Sequence, residues 1–324
     1  MNLLFIGPKF YNYHEIIKNG FIKAGYEVDY YDDRPSTKYI DKVLLRLNKR
    51  FLTNKINKYF NEIKRKVANK YYSVIFVLYG QSFNSNMIRE LKEVSPKSKF
   101  IFYMYDPICS MPDRLEFSKE FDRRLSFDYN DCEKYGFEFL PLFYSDDNLN
   151  NNLNNNFIYD ACYIGTMMPG KYILVNKIIS QLEEHGFNVF DYQYIQSKSV
   201  ALFYKLKSDD FKNANFSNFK YKRMTNQECD NIVNDSKIVI DCPKEGQNGM
   251  TIRIFEALAA NKKIITTNEN IKKYDFYKPE NIYIFHDAID FNDLFFKSEY
   301  VKIDKEIKEK YSLNHWIKEI LKGV

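Results

Sequence analysis

The sequence has no apolar run long enough to cross a bilayer, which needs about 20 such residues. The best candidate, Val74 to Tyr79, has only the length of a strand. The first residues, Met1 to Gly7, are too few for a signal peptide and lack its basic start. These absences argue against a membrane-spanning chain and predict a cytoplasmic protein.

Cysteine and histidine are also scarce. The five cysteines are odd in number and show no CxxC or metal spacing, which favours small core thiols in a reducing cytoplasm over a disulfide framework. The four histidines form no zinc motif. No G-x-G-x-x-G run follows the first strand of either half, so a dinucleotide site of that type is not expected. The cysteines are Cys109, Cys132, Cys162, Cys229 and Cys242.

Aromatic residues are abundant: 27 Tyr and 28 Phe bring the aromatic fraction to 17% of 324 residues. This length and content suffice for two α/β domains. Apolar runs alternate with helical patterns, which predicts parallel, doubly wound sheets. The predicted strands cover 3–6, 28–31, 74–79, 100–105, 161–164, 188–192, 238–241, 263–266 and 281–285. The predicted helices cover 15–24, 86–94, 172–185, 226–234 and 303–321, and residues 196–220 are predicted to be an irregular loop.

An asparagine-rich run separates the two halves. Seven of the nine residues from 148 to 156 are Asn, a composition that cannot contribute to a core and predicts an interdomain linker. The predicted domains are therefore residues 1–147 and 157–302, with a helix in 303–324 that carries Trp316 on its apolar side. Two such domains place a cleft between the carboxyl ends of both sheets, where ligands of open parallel sheets bind.

Residues 38–70 carry eleven Lys or Arg against two acids, with apolar residues at helical spacing. One interpretation is a core-facing helix with a solvated basic face. The other is contact with an anionic membrane surface, where each basic residue contributes about 1 kcal/mol. A nucleic-acid partner is not expected, because no recognised binding motif accompanies the charge.

The run from Gly246 to Thr267 is the most informative part of the sequence. It predicts a glycine-bearing loop, a short amphipathic helix and a buried strand. Arg253 and Glu256 are three residues apart near the helix start and therefore share one face. A helix N-terminus and a guanidinium attract phosphate, and a carboxylate one turn later accepts hydrogen bonds from sugar hydroxyls. The alternative is a solvated surface ion pair of little value.

The same run resembles the donor-domain signature of GT-B glycosyltransferases, in particular a bacterial group of capsule, lipopolysaccharide and spore-coat enzymes with a glycosyltransferase-1-type C-terminal domain. The Arg-x-Phe-Glu-Ala run of that group is matched by Arg253, Phe255, Glu256 and Ala257. The resemblance spans roughly residues 73 to 290. Less specific similarities lie in Phe102–Asp106, Phe127–Asp128, Cys132, Tyr135–Gly136, Phe139–Leu142, Tyr163–Thr166 and Pro169–Tyr172.

This resemblance implies two Rossmann-like domains that face each other across a cleft, with a terminal helix that often crosses back to the first domain. Two positions depart from the pattern of the group. Asn248 stands where many retaining members have a second Glu, which leaves the stereochemical class open. Asn261 stands at the usual Gly position and tolerates a left-handed cap nearly as well.

Phosphate contacts are expected from fixed groups rather than from a metal, since no acidic pair has DxD spacing at a strand end. The backbone amides of Gly249, Met250 and Thr251, together with Arg253, would carry the leaving-group charge. Lys171, which follows the Gly165–Thr166 turn, is the position of a basic phosphate contact in similar enzymes; the alternative is an exposed lysine. The Tyr221–Met224 run, including Arg223, is predicted to contact the base. The further candidates for donor binding are Gly165, Thr166, Asn248 and Glu256.

Asp106 is the main candidate on the acceptor side. It follows the predicted strand 100–105 and would act as general base on the acceptor hydroxyl in an inverting reaction, or bind hydroxyls in a retaining one. Alternatively, Asp106 only initiates a turn before Pro107. Gly7 would let backbone approach the donor, or would simply form a tight turn. His14, at the start of the first predicted helix, is the second catalytic candidate.

The sequence therefore predicts a metal-independent glycosyltransferase of the hexosyl type. It would move a sugar from a UDP- or GDP-sugar to a growing surface polysaccharide or a lipid-linked glycan. One alternative is a nucleotide-sugar epimerase of similar shape, although such enzymes cluster several acids and histidines and this chain has few His. A second alternative is a catalytically degenerate glycan-binding or assembly partner.

Overall fold

A computed structural model describes residues 1–9, 12–36, 49–145 and 157–324. The chain divides into two compact units: unit 1 consists of Met1–Pro141 and Leu313–Val324, and unit 2 consists of Leu142–Ser312. The C-terminal segment thus belongs to the unit that the first half of the chain forms. The predicted linker at 148–156 lies outside the described residues.

Each unit is built on a parallel sheet. In the described residues, unit 1 contains a six-stranded sheet with the order β2-β1-β3-β4-β5-β6, and unit 2 one with the order β12-β11-β10-β7-β8-β9. The parallel α/β class is therefore as predicted. The strands are β1 (Asn2–Gly7), β2 (Glu27–Asp32), β3 (Val74–Leu78), β4 (Lys99–Met104), β5 (Arg123–Ser126), β6 (Glu138–Phe139), β7 (Tyr159–Thr166), β8 (Val189–Tyr194), β9 (Phe219–Lys220), β10 (Ser236–Asp241), β11 (Lys263–Thr266) and β12 (Ile282–Ile284).

The central strands are continuous apolar runs because a parallel strand is covered on both faces. All five residues of β3 are buried, and its neighbours β1 and β4 pair with it in parallel register. Helices follow most strands. They are α1 (Tyr13–Lys23), α2 (Thr53–Ala68), α3 (Ser85–Val94), α4 (Asp113–Ser118), α5 (Tyr129–Tyr135), α6 (Tyr172–Glu184), α7 (Lys198–Lys207), α8 (Asn226–Asn234), α9 (Ile252–Ala259), α10 (Leu294–Lys297), α11 (Lys305–Glu309) and α12 (Leu313–Ile320).

Two sequence predictions about elements are wrong. Residues 196–220, predicted to be a loop, contain the ten-residue helix α7. The pattern failed there because three of its large apolar side chains face solvent instead of the core. The tail, predicted as one helix over 303–321, forms the two short helices α11 and α12.

Helix α2 covers the described part of the basic segment and tests the interpretation of a core-facing helix. Its apolar residues Ile56, Phe60, Ile63 and Val67 are buried in the core of unit 1. The interpretation of a core-facing helix with a solvated basic face is therefore confirmed for Thr53–Ala68. Most of the preceding residues, 38–48, lie outside the described residues.

The C-terminal helix α12 completes the core of unit 1. The Trp316 ring lies 5.0 Å from that of Tyr103 and 5.9 Å from that of Phe76, both in edge-on geometry. Arg123 Nη1 donates to the carbonyl oxygens of Glu319 and Ile320 at 3.0 and 2.9 Å. These bonds satisfy carbonyl groups that the end of a helix leaves without an intrahelical partner.

Candidate functional site

The start of α9 lies beyond the carboxyl end of β10. Thr251 precedes the helix in an extended conformation, and its side chain does not cap it. Instead, Thr251 Oγ1 donates to Asp241 Oδ1 at 2.8 Å. The first N–H groups of a helix have no intrahelical acceptor, so the first turn of α9 is suited to an anionic ligand.

Arg253 and Glu256 form an ion pair on one face of α9. Nη1 of the guanidinium lies 2.7 Å from Oε2 of the carboxylate, and the two side chains are only 17% and 10% exposed. The prediction that they share a face is confirmed. The alternative of a solvated surface pair is wrong, since both groups are largely shielded from water.

Helix α8 brings a second carboxyl group to this pair. Burial, followed by repulsion from Glu256, raises the pKa of Asp230 to about 6, and Arg253 opposes that rise. Arg253 also forms a hydrogen bond with Cys229, although burial still raises the pKa of that thiol. The guanidinium therefore has an ion-pair partner in Glu256 and a hydrogen bond with Cys229, which hold it in place before any ligand binds.

Lys171 and Asp241 form the other charged part of the site. Lys171 directly precedes α6, and burial lowers its pKa while Asp241 raises it. The Asp241 carboxyl is buried at the end of β10; burial raises its pKa, and Lys171, Thr251 and Arg253 oppose that rise. The interpretation of Lys171 as an exposed lysine is therefore wrong.

Two asparagines after β11 hold the loop that precedes α9. Buried Asn268 donates through Nδ2 to the carbonyl oxygen of Asn248 at 3.1 Å. Asn270 Nδ2 donates to Asn248 Oδ1 at 3.3 Å, and Gln247 Nε2 donates to the Gly249 carbonyl at 3.0 Å. Asn248 therefore helps to fix the loop, which orders the backbone that leads to Thr251.

Two other predictions about this region concern backbone geometry. Met250 is buried, with 1% of the whole residue exposed, so its predicted backbone contact with a ligand stays a prediction. Asn261 has φ 56°, which confirms the left-handed cap predicted at that position. Its conformation ends α9 and turns the chain into β11.

Gly165 and Thr166 end the strand β7. A Cβ at Gly165 would lie 2.5 Å from the Tyr163 hydroxyl oxygen, so glycine is required for the tyrosine ring to lie against the backbone. That hydroxyl is buried and has no hydrogen-bond partner within the described part of the chain. The requirement at Gly165 is one of packing, and its predicted role toward a ligand stays a prediction.

Arg223 occupies a groove of its own beside β8. Its Nε donates to the Tyr194 hydroxyl at 3.0 Å, and the guanidinium lies over the Tyr194 ring at 5.2 Å. The groove has a volume of about 300 Å³, and no residue of the Arg253–Glu256 pair is among those that line it. The lining residues are Tyr192, Lys222, Arg223, Met224, Glu228, Asn231 and Ile232.

Unit 1 places its candidates at the carboxyl ends of β1, β2 and β4. The Gly7 carbonyl accepts a hydrogen bond from the Tyr30 hydroxyl at 2.8 Å, and a Cβ at Gly7 would lie 2.8 Å from the Phe5 ring. The His14 ring lies 5.3 Å from that of Tyr30. Burial lowers the pKa of His14, and its buried Nδ1 has no hydrogen-bond partner in the described residues.

A buried acid that the sequence did not single out lies near Tyr105, the residue before Asp106. Asp33 is fully buried; burial raises its pKa to about 7, and the Gln81 N–H, which donates to Oδ2 at 2.8 Å, opposes that rise. Arg34 Nε lies 3.6 Å from the other carboxylate oxygen. The pKa of Tyr105 is raised by burial and then by the charges of Asp106 and Asp33, so these three groups lie close together.

The structure therefore collects Lys171, Thr251, Arg253 and Glu256 of unit 2 around Asp241, an acid that the sequence did not predict. Asp241 and Asp33 each stand at the carboxyl end of a strand, which is the signal that identified Asp106. Among the described residues, no group of three or more His, Cys, Asp or Glu side chains is arranged to hold a metal ion.

No protein-family model matches the sequence, and it has no significant match among curated protein sequences. Solved structures nevertheless match over the whole chain. Anabaena Alr3699/HepE in complex with UDP-glucose is 9% identical with a TM-score of 0.59, and coverage is 100% of both chains. The lipopolysaccharide outer core galactosyltransferase WaaB is 9% identical with a TM-score of 0.58, and coverage is 99% of this chain and 98% of that one.

A third similar structure is not a transferase. The UDP-GlcNAc 2-epimerase from Methanocaldococcus jannaschii is 11% identical with a TM-score of 0.53, and coverage is 99% of this chain and 98% of that one. At these identities the likeness establishes the fold. The chain has the predicted GT-B type of fold, with two Rossmann-like α/β domains.

Proposed function

We propose that the protein is a glycosyltransferase that moves a hexosyl group from a UDP- or GDP-sugar to a growing surface polysaccharide or a lipid-linked glycan. The shielded Arg253–Glu256 pair at the start of α9 carries this proposal. Arg253 and the first-turn amides would hold the diphosphate, and Glu256 would accept hydrogen bonds from the ribose hydroxyls. Lys171 adds a second cation, which burial makes more sensitive to a nearby anion.

The chemistry follows from where charge develops. As the bond to the sugar breaks, the leaving diphosphate gains negative charge, which fixed N–H donors and Arg253 stabilise without reorganisation. Asp106 would accept the proton of the attacking hydroxyl. Burial, followed by the charges of Asp106 and Asp33, raises the pKa of Tyr105, so this neighbouring phenol stays protonated.

Several findings support this reading. The similar structures are mostly glycosyltransferases, and one of them is a complex with UDP-glucose. Within the described residues, no helix has the length and apolar character needed to cross a membrane. None of the five cysteines, all of which are described, forms a disulfide. We infer a cytoplasmic enzyme, where nucleotide sugars would meet it.

Arg253→Gln tests the proposal through binding of UDP and GDP, measured by calorimetry beside uridine and guanosine. A charged hydrogen bond to phosphate is worth about 1.5–3 kcal/mol, or roughly ten- to a hundredfold in affinity. The variant should lose this factor for the preferred diphosphate and much less for its nucleoside. Arg123→Gln is the matched control, because Arg123 is also a mostly buried, ion-paired arginine, but in unit 1.

Equal losses for diphosphate and nucleoside would remove Arg253 from the phosphate site. Absence of binding by wild-type protein to both diphosphates would reject the proposed donor class. The epimerase alternative is favoured by the third structural match and by the neighbouring His14 and Asp32. The epimerase alternative predicts that UDP-GlcNAc is converted to its epimer without any acceptor. A catalytically degenerate binding protein would bind the nucleotide but would not release nucleotide from a nucleotide sugar.

A further inference from the structure

Helix α7 presents large apolar side chains to solvent. Leu202, Phe203 and Leu206 are 51%, 55% and 76% exposed. The opposite face packs on the core of unit 2, where Ala201 is fully buried and the Tyr204 ring lies 5.3 Å from that of Phe211. The helix is therefore well anchored, and its exposed stripe is not the result of a loose attachment.

Lysines border this stripe on both sides. Successive helical residues are about 100° apart around the axis, so Leu202 and Leu206 are separated by only about 40°, with Phe203 next to them. On the same count, Lys198 and Lys205 border the stripe on one side and Lys207 on the other. All three lysines are exposed.

The charge of α7 is uncompensated within the helix, which contains three lysines and no acid. The next acids are engaged elsewhere: Asp209 pairs with Lys212 at 2.5 Å, and Asp210 accepts from the Gly170 N–H at 2.8 Å. A second copy of this surface would bring lysines against lysines in a two-fold contact, which disfavours self-association. The complementary partner is therefore both apolar and anionic.

We propose that α7 is a membrane-docking helix that lies flat on an anionic bilayer surface. Leu202, Phe203 and Leu206 enter the boundary between headgroups and acyl chains, and the lysines pair with lipid phosphates. Helix α2 differs in this respect, because its apolar face packs in the core of unit 1 and its outward face is polar and charged. The proposal is independent of the proposed chemistry.

Vesicle flotation tests the proposal with the full chain. Wild-type protein should float with vesicles of phosphatidylcholine and phosphatidylglycerol in equal parts, and should bind phosphatidylcholine vesicles much more weakly. Leu202→Gln with Leu206→Gln should lower the partition coefficient at least about tenfold, which corresponds to about 1.4 kcal/mol. The single variant Leu206→Gln, at the most exposed position, should show a smaller loss. Lys205→Gln with Lys207→Gln should weaken binding and reduce its salt dependence.

The matched control is Ile173→Gln with Leu294→Gln, which removes two apolar side chains of similar exposure elsewhere in unit 2. This control should bind vesicles as the wild type does, and all variants should keep wild-type nucleotide affinity. Wild-type failure to bind anionic vesicles, or equal binding by the leucine double variant, would overturn the proposal. A change from dimer to monomer in the leucine variant, measured by sedimentation, would assign the stripe to a second copy instead.

Discussion

Glu256 is largely shielded, and two neighbouring charged groups determine what its removal does. Its loss leaves Arg253 without its ion-pair partner and relieves the repulsion that acts on Asp230. Truncating one member of a buried pair costs roughly 3 kcal/mol or more, because the other charge stays behind. Glu256→Ala therefore confounds folding with binding, and Glu256→Gln, which keeps the shape, is the better probe.

We expect Glu256→Gln to weaken nucleoside binding by roughly tenfold or more, because hydrogen bonds from the ribose hydroxyls to a carboxylate are replaced by weaker ones. Calorimetry with uridine and guanosine measures the effect. Asp230→Asn, which changes the neighbouring carboxyl that is not assigned a ribose contact, should leave nucleoside affinity unchanged. Similar losses in both variants would point to a general electrostatic effect and against a ribose contact.

Asp33 makes stability depend on pH. Burial raises its pKa to about 7 in the folded protein, while an Asp in an unfolded chain titrates near 3.9. Between these values the folded state holds a proton that the unfolded chain has lost, so the free energy of unfolding decreases as pH rises from about 4 to about 7.

Asp33→Asn should reduce this decrease by up to about 4 kcal/mol, because the pKa shift of about three units corresponds to about 1.4 kcal/mol per unit. Urea unfolding at several pH values measures the free energy of unfolding for both proteins. The difference between variant and wild type isolates the contribution of Asp33, because Asp191 and Asp230 also have raised pKa values. The Asn amide oxygen can still accept from the Gln81 N–H, so the loop keeps its hydrogen bond. Parallel pH profiles for the two proteins would contradict a protonated Asp33.

At the scale of elements, α12 shows how a short helix at the chain end becomes part of the core. Trp316 → Ala should cost about 3–5 kcal/mol of unfolding free energy, because it leaves a cavity beside Tyr103 and Phe76. Urea unfolding followed by far-UV circular dichroism gives the value. Lys318→Ala, an exposed position on the same helix, should have almost no effect, and equal costs for the two variants would rule out a core role.

Elements with a strong pattern were predictable, and those without one were not. Strand β3 is a continuous apolar run and β10 contains the apolar run 238–240, so the positions of these strands could be predicted from the sequence. Helix α7 was missed because its apolar residues face outward, which removes the usual contrast between core and solvent. The short elements α4 to β6 carry too few residues for a period to show.

At the scale of the whole molecule, the sequence predicted the strand and helix ends that carry the candidate residues. It did not predict which charged groups at those ends are buried. That Arg253 and Glu256 share one face of a helix was predictable from their spacing. Asp33 and Asp241 were not, because only the fold shows that these acids are buried and lie beside other charged groups. Burial of a charged group depends on distant parts of the chain, which no local pattern contains.

The two units would contribute to different steps of the proposed reaction. Transfer should persist in excess EDTA, since in the proposed site the helix amides and Arg253 of unit 2 would carry the leaving-group charge. Asp106→Asn, in unit 1, should lower turnover by about 10²- to 10⁴-fold if this carboxylate is the general base, and should leave donor affinity unchanged because it acts on the acceptor. Arg253→Gln should instead weaken donor binding. Loss of transfer in EDTA with rescue by Mg²⁺ or Mn²⁺ would show that a metal ion carries the leaving-group charge. Near-normal turnover of the Asn variant would show that Asp106 is only a turn residue before Pro107.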